Sequence, residues 1–154
     1  MGRESPGSDL ALCASVAETC TAFHLRRASR AVTNAFDAAM RPLGLRSSQF
    51  SALVALAIAG EAPVSALARL LALDRTTMTR NLGPLERRGF VASVEGADRR
   101  NKVLRLTEKG RSVLARALPA WQRAQAQVVR DLGEHRWKGL LQGLKAATSV
   151  ARAS

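Results

Sequence analysis

The stretch L-D-R-T-T-M-T-R-N-L-G-P-L-E-R-R-G-F-V, Leu73 to Val91, decides the fold. Asp74 stands where a helix N-cap belongs, and Met78, Leu82 and Leu85 follow at four- and three-residue steps, which puts one apolar stripe on a helix from about Arg75 to Arg88 that stops at Gly89. Turning that stripe inward leaves Arg75, Thr76, Thr77, Thr79 and Arg80 gathered at the N-terminal end. Short hydroxyls and long guanidinium groups together suit a nucleic-acid groove and its phosphates, and the free N–H groups and positive dipole end of such a helix add attraction for an anion. Pro84 cannot hydrogen-bond the Arg80 carbonyl and is expected to kink the helix past its contact turns.

Working backwards, Ser65 is placed to cap a short helix carrying Leu67, Leu70 and Leu71, and the tight link to Asp74 makes the two helices a helix-turn-helix. Ser47 or Ser48 is placed to cap a helix through Phe50, Leu53, Val54, Leu56 and Ala57, apolar on most sides and so central to the core. Before it, Phe23, Ala28, Ala31, Val32, Ala35, Phe36 and Ala39 draw a stripe along one long helix expected from about Leu10 to near Pro42. Working forwards, Phe90 to Val94 and Lys102 to Leu106 read as two strands around a basic turn, a β-hairpin. Thr107 then caps a long helical region interrupted at Gly133, and Trp137, Leu140, Leu141 and Leu144 mark a last amphipathic helix. The fold class is therefore mainly α with a small β-wing: a winged helix-turn-helix lobe flanked by helices at both chain ends.

The 154 residues hold 24 Lys+Arg against 12 Asp+Glu, a net charge of +12, with 47% apolar residues. One globular domain of this size buries about 68–70% of its unfolded surface without a metal or disulfide. The surplus positive charge favours a polyanion, because each Lys or Arg set on a phosphate releases condensed counterions. No apolar stretch approaches the ~20 residues of a membrane span, and the polar start offers no signal sequence, so a cytoplasmic protein is expected. His24 and His135 belong to no nucleophile or metalloprotease motif, there is no glycine-rich phosphate loop, and Cys13 and Cys20 form no C-x-x-C pair. An enzyme would lack its catalytic group, and no cofactor or metal is implied. The alternative to a sequence-reading DNA protein is a basic architectural or protein-interaction module that binds duplexes without base preference.

The segments L-R-R-A-S-R (Leu25 to Arg30), P-L-G-L-R-S-S-Q-F (Pro42 to Phe50), L-E-R-R-G-F-V (Leu85 to Val91) and D-R-R-N-K-V-L-R-L-T-E-K-G (Asp98 to Gly110), with the Leu73 to Leu82 helix, resemble the multiple antibiotic resistance regulator (MarR) family. The resemblance implies a homodimeric bacterial transcription regulator, most often a repressor, released from a pseudo-palindromic operator by a small anionic or phenolic effector or by cysteine oxidation. Residues 1–9 combine Gly, Ser, Pro and charge and are expected to be a flexible tail; the resemblance implies dimerisation helices over 10–45 and 112–154 and a DNA-binding lobe over 46–111. The apolar stripes at both chain ends, more than a small lobe can cover, agree with pairing. By matched position Arg75, Thr76, Thr77, Thr79 and Arg80 lie on the recognition helix. Arg100 is implied to enter the minor groove at the wing tip, held by Asp98, with Arg99 and Lys102 on phosphates.

Seven residues along one helix set Cys13 and Cys20 about 10.5 Å apart, beyond the ~7 Å reach of a disulfide, so a redox bridge would have to join two subunits. Cys20 and His24, four apart, supply two metal ligands and no third. For an effector pocket between the dimer helices and the DNA lobe, the candidates are His24, Arg26, Arg27 and Arg30.

Overall fold

A computed structural model describes residues 6–94 and 102–153. Two helices open the chain, α1 (Pro6–Thr19) and α2 (Thr21–Met40), followed by a short 3-10 turn over Arg41–Leu43 and by α3 (Ser47–Ala59). A strand β1 (Glu61–Pro63) leads into α4 (Val64–Leu70) and α5 (Arg75–Arg87); β2 (Val91–Ser93) and β3 (Val103–Leu106) form the wing, and α6 (Glu108–Leu132) and α7 (Glu134–Ala153) close the chain. The fold is mainly helical with a small β-wing, as the periodicities predict, and β1 adds a third antiparallel strand that they do not. Among the described residues no helix is long and apolar enough to cross a membrane.

The core forms where α3, α4, α5, the sheet and the first half of α6 meet. Leu53, Leu56, Leu67, Met78, Leu82, Leu85 and Leu104 are almost wholly withdrawn from water, and Met40 joins them from the end of α2. At about 25 cal/mol per Å² of apolar surface buried, each such side chain contributes roughly 1.5–3 kcal/mol. Two predicted caps are in place. Asp74 accepts from the Thr77 N–H at 2.8 Å, and the Thr107 hydroxyl oxygen accepts from the Gly110 N–H at 3.0 Å.

Four expectations need correction. The long first helix is two helices, broken at Cys20, whose backbone is extended at φ −70° and ψ 110°; just before the break the Thr19 hydroxyl donates to the Ser15 carbonyl. Helical structure begins at Pro6, inside the segment expected to be a tail. The third helix begins at Ser47 itself, so the cap falls one residue earlier: Gln49 Oε1 accepts the Arg46 N–H at 3.0 Å, while Asp37 on α2 accepts both the Ser47 N–H and its hydroxyl at 2.6 Å. Those two bonds hold the Asp37 carboxyl below its usual range, the hydroxyl contributing most. Ser65 lies inside α4, which starts at Val64 after the extended Pro63, because residues 61–63 pair with β3 as an edge strand where a proline is tolerated. α5 runs through Pro84 to Arg87 without interruption.

The wing and α6 meet in a close backbone approach. The Thr107 N–H donates to the Phe90 carbonyl at 3.1 Å, and a Cβ built on Gly110 would stand 2.0 Å from that same oxygen. In Gly110→Ala the helix gains up to about 1 kcal/mol of propensity, but the new methyl must force the strand start away from α6. The net expectation is a loss of about 2 kcal/mol, read as a Tm lower by roughly 4–8 °C in thermal unfolding followed by circular dichroism.

Candidate nucleic-acid interface

The presentation of α5 follows from which of its faces is buried. With Met78, Leu82 and Leu85 in the core, helical geometry turns Arg75, Thr76, Thr79 and Arg80 to the surface, and all four are exposed. Thr77 differs. It is half-buried, and its hydroxyl donates to Asp74 Oδ2 at 2.6 Å while its N–H donates to Oδ1. Its hydrogen is spent on the cap, so Thr77 builds the end of the helix rather than reaching from it. The Thr79 hydroxyl donates back to the Arg75 carbonyl at 2.9 Å, which leaves its methyl as the outward chemistry.

The same cap changes the electrostatics expected of this end. A bare helix N-terminus would attract a phosphate, but here a carboxylate already occupies that position. The Thr77 hydroxyl and then the Thr77 N–H pull the Asp74 pKa down, so the group is anionic at neutral pH. Attraction for a polyanion must come from side chains, chiefly Arg75 and Arg80, rather than from the helix dipole.

The wing lies beside α5. Val91 pairs with Leu106, Ala92 with Arg105 and Ser93 with Leu104, and β1 covers the other edge of β3. Lys102, just before β3 on the loop side of the wing, places Nζ 2.6 Å from Glu86 Oε1 on α5. The pair, an exposed lysine with a half-buried glutamate, is individually weak, yet it ties the loop side of the wing to the helix and makes a carboxylate compete for the Lys102 charge. Asp98, Arg99 and Arg100 lie outside the described residues.

The other candidates do not converge. Cys13 is exposed and Cys20 half-buried, both with free thiols. His24 Nε2 is 2.9 Å from the Glu18 carbonyl, and the Arg27 guanidinium sits 5.6 Å over the Phe23 ring. Among the described residues no three metal-ligating side chains cluster. A cleft of about 700 Å³ opens between α2, α4, the α4–α5 turn and α7, lined by Leu25, Ala68, Arg69, Ala72, Leu73, Leu144, Ala147 and Thr148. None of His24, Arg26, Arg27 or Arg30 lines it. Leu25, between them in sequence, turns toward it, and its one charged wall residue is Arg69. Sequence spacing could not have found this set, which joins residues more than a hundred positions apart.

A family model described as the MarR family matches residues 43–101. The transcriptional regulator MosR of M. tuberculosis is 34% identical, over 90% of this chain and 99% of its own, with a TM-score of 0.79. In its complex with DNA the identity is 38%, over 87% and 99% of the two chains, with a TM-score of 0.74. The transcriptional repressor CouR of Rhodococcus jostii RHA1, bound to a 23-mer DNA duplex, is 28% identical over 95% and 99%, with a TM-score of 0.75. Bound to p-coumaroyl-CoA it aligns over 86% and 94%, with a TM-score of 0.77. The HTH-type transcriptional regulator YwoH of Bacillus subtilis (strain 168) is 29% identical over 85 residues, 55% of this chain and 62% of that relative, so the match spans less than two thirds of YwoH.

Proposed function

This chain belongs to the MarR family of winged helix-turn-helix transcription regulators, DNA-binding proteins rather than enzymes, and we propose that two copies of it read a pseudo-palindromic operator and repress transcription until an effector releases them. The observation that carries this reading is the exposed set Arg75, Thr76, Thr79 and Arg80 on a helix whose opposite face is fixed in the core. In a major groove an arginine grips guanine O6 and N7, and a threonine methyl packs on a thymine methyl. Arg80 is the base-reading candidate, one turn into the helix. Arg75, Arg99 and Lys102 are assigned to phosphates, and Arg100, held by Asp98, to the minor groove.

Pairing is supported by the apolar side chains left in water at both chain ends, among them Leu10, Val16, Phe23, Val32, Leu140 and Leu141. A second copy interleaving α1, α2, α6 and α7 would cover them and set the two recognition helices about one duplex turn apart. The cleft beside Arg69 is the effector site we favour: apolar walls for a ring or chain, and a guanidinium for an anionic head. CouR bound to p-coumaroyl-CoA is a relative with such a ligand. Cys13 of one subunit and Cys20 of the other are the pair available to an oxidative route, and the cytoplasm is the compartment in which such a regulator would work.

The test is selection of duplexes from a random library by the full-length protein, followed by gel shifts on a selected duplex and a shuffled one. Arg80→Ala should lose 10- to 100-fold on the selected duplex and little on the shuffled one, since a bidentate arginine–guanine contact supplies about 1–3 kcal/mol of discrimination. Equal loss on both would remove Arg80 as a reader, and failure to enrich any sequence would favour the architectural alternative. An aromatic carboxylate should weaken the shift, and less so in Arg69→Ala. Peroxide should give a cross-linked dimer on a non-reducing gel if the cysteine route operates. Asp74→Asn keeps a good N-cap while removing an anion beside the duplex, so every sequence should bind a few-fold tighter at unchanged Tm. Unchanged affinity would show that Asp74 stands clear of the phosphates.

A further inference from the structure

At the far end of α5 the side chain of Arg88 makes contacts that no sequence spacing announces. One guanidinium nitrogen donates to the Gly44 carbonyl, and the other donates to the Leu43 carbonyl at 3.2 Å. The same group lies 4.4 Å over the Phe90 ring. Leu43 and Gly44 end the helical run of α2 and its 3-10 turn, where carbonyls lack intrahelical partners and the dipole is negative, so a cation is doubly suited to them. Gly44 has φ +64°, and a Cβ on it would come within 3.0 Å of the guanidinium, so the turn is shaped to admit this side chain.

Phe90, in turn, is pinned to α6. Its carbonyl accepts the Thr107 N–H at 3.1 Å, Lys109 Nζ is 5.6 Å over its ring, and Gly110 lets the two backbones touch. The end of α2, the end of α5 and the start of α6 therefore meet at one guanidinium. Two of these three helices belong to the scaffold proposed to pair, and the third is the one proposed to read DNA.

We propose that Arg88 is a positioning residue for operator binding: by joining the Leu43–Gly44 carbonyls to Phe90 it fixes the angle at which α5 leaves the α2–α6 scaffold, and with it the separation of the two reading helices. The inference rests on the DNA-reading dimer above. Two donors in a planar fork, stacked on a ring, require arginine; lysine keeps the charge but offers a point donor with no plane to stack. Arg88 is exposed, outside the core that supplies most of the stability, so its contribution falls on orientation.

The test uses the full-length protein, a duplex it selects from a random library, a shuffled duplex, and versions of the selected duplex with the half-sites moved one or two base pairs apart. In both Arg88→Lys and Arg88→Ala, affinity for the selected duplex should fall about 10-fold or more. Affinity for the shuffled duplex should stay within about 3-fold, the salt slope should be unchanged, and the preference for the original half-site spacing should broaden. Gly44→Ala, which leaves the arginine in place but crowds it, should broaden the spacing preference in the same way. If Arg88 instead contacted a phosphate, Arg88→Ala alone would lower the slope by about 0.9 per contact and Arg88→Lys would not, which would overturn the proposal. A drop in Tm with operator affinity and spacing preference intact below the transition would overturn it as well, in favour of a purely stabilising role. A wild-type protein that prefers no duplex would sink the DNA-reading premise itself, an outcome distinct from either.

Discussion

The arrangement of the whole lobe depends on one burial: the Met78, Leu82 and Leu85 face of α5, which is 0 to 1% exposed. Truncating a buried Leu or Met of this kind typically costs about 2–5 kcal/mol, so the three together outweigh the roughly 3 kcal/mol that a proline exacts inside a helix. That balance explains why α5 carries Pro84 without breaking. Leu82 and Leu85 flank the proline, and unwinding the helix there would pull them out of the core. A helix held on one face has only one way to present the other. The outward set of Arg75, Thr76, Thr79 and Arg80 is thus a consequence of core packing, fixed before any duplex arrives.

Charge acts on top of that geometry. With 24 basic and 12 acidic side chains, at least 24 − 12 = 12 cations would remain without an acidic partner even if every acid were paired. Among the described residues the ion pairs are Lys102–Glu86, Arg111–Glu108 and Lys138–Glu134, all on the surface, where such pairs contribute about 0–1 kcal/mol each. Two of the remaining acids do backbone work: Asp37 holds the start of α3 and Asp74 the start of α5. The surplus cations repel one another in the free protein, and a polyanion relieves that repulsion whatever its sequence. In the proposed function, affinity for duplexes in general and preference for one duplex accordingly have different origins, the first in the summed field and the second in a few side chains at one helix end.

What the sequence made legible was local. Asp74, Thr107 and Gly133 mark helix ends because a cap acts within three residues, and the 3.6-residue stripe of Met78, Leu82 and Leu85 reports its own burial. The edge strand at Glu61–Pro63 was invisible because three residues ending in proline carry no alternation, and its existence depends on β3, some forty positions away. The break at Cys20 was invisible because no glycine or proline stands near it to punctuate the helix. The cleft is hidden for a related reason: His24, Arg26, Arg27 and Arg30 share one stretch of one helix, whereas the cleft is assembled from Leu25, Arg69 and Thr148, which only the fold brings together.

Arg88 shows the same limit from the functional side. In sequence it is the second of two arginines before a glycine, indistinguishable from Arg87 and most simply read as solvated charge. In the fold it spans 44 positions to reach the Gly44 carbonyl, and its value lies in the groups it joins rather than in its own charge. The N-terminal end of α5 can be correct in every contact and still fail on an operator if its far end is loose, because a small rotation about the C-terminus displaces a side chain four turns away by several ångströms. Rigidity at the Leu43, Gly44, Arg88 and Phe90 junction is therefore a condition of specificity in a two-site reader, whereas attraction to a phosphate backbone tolerates its loss.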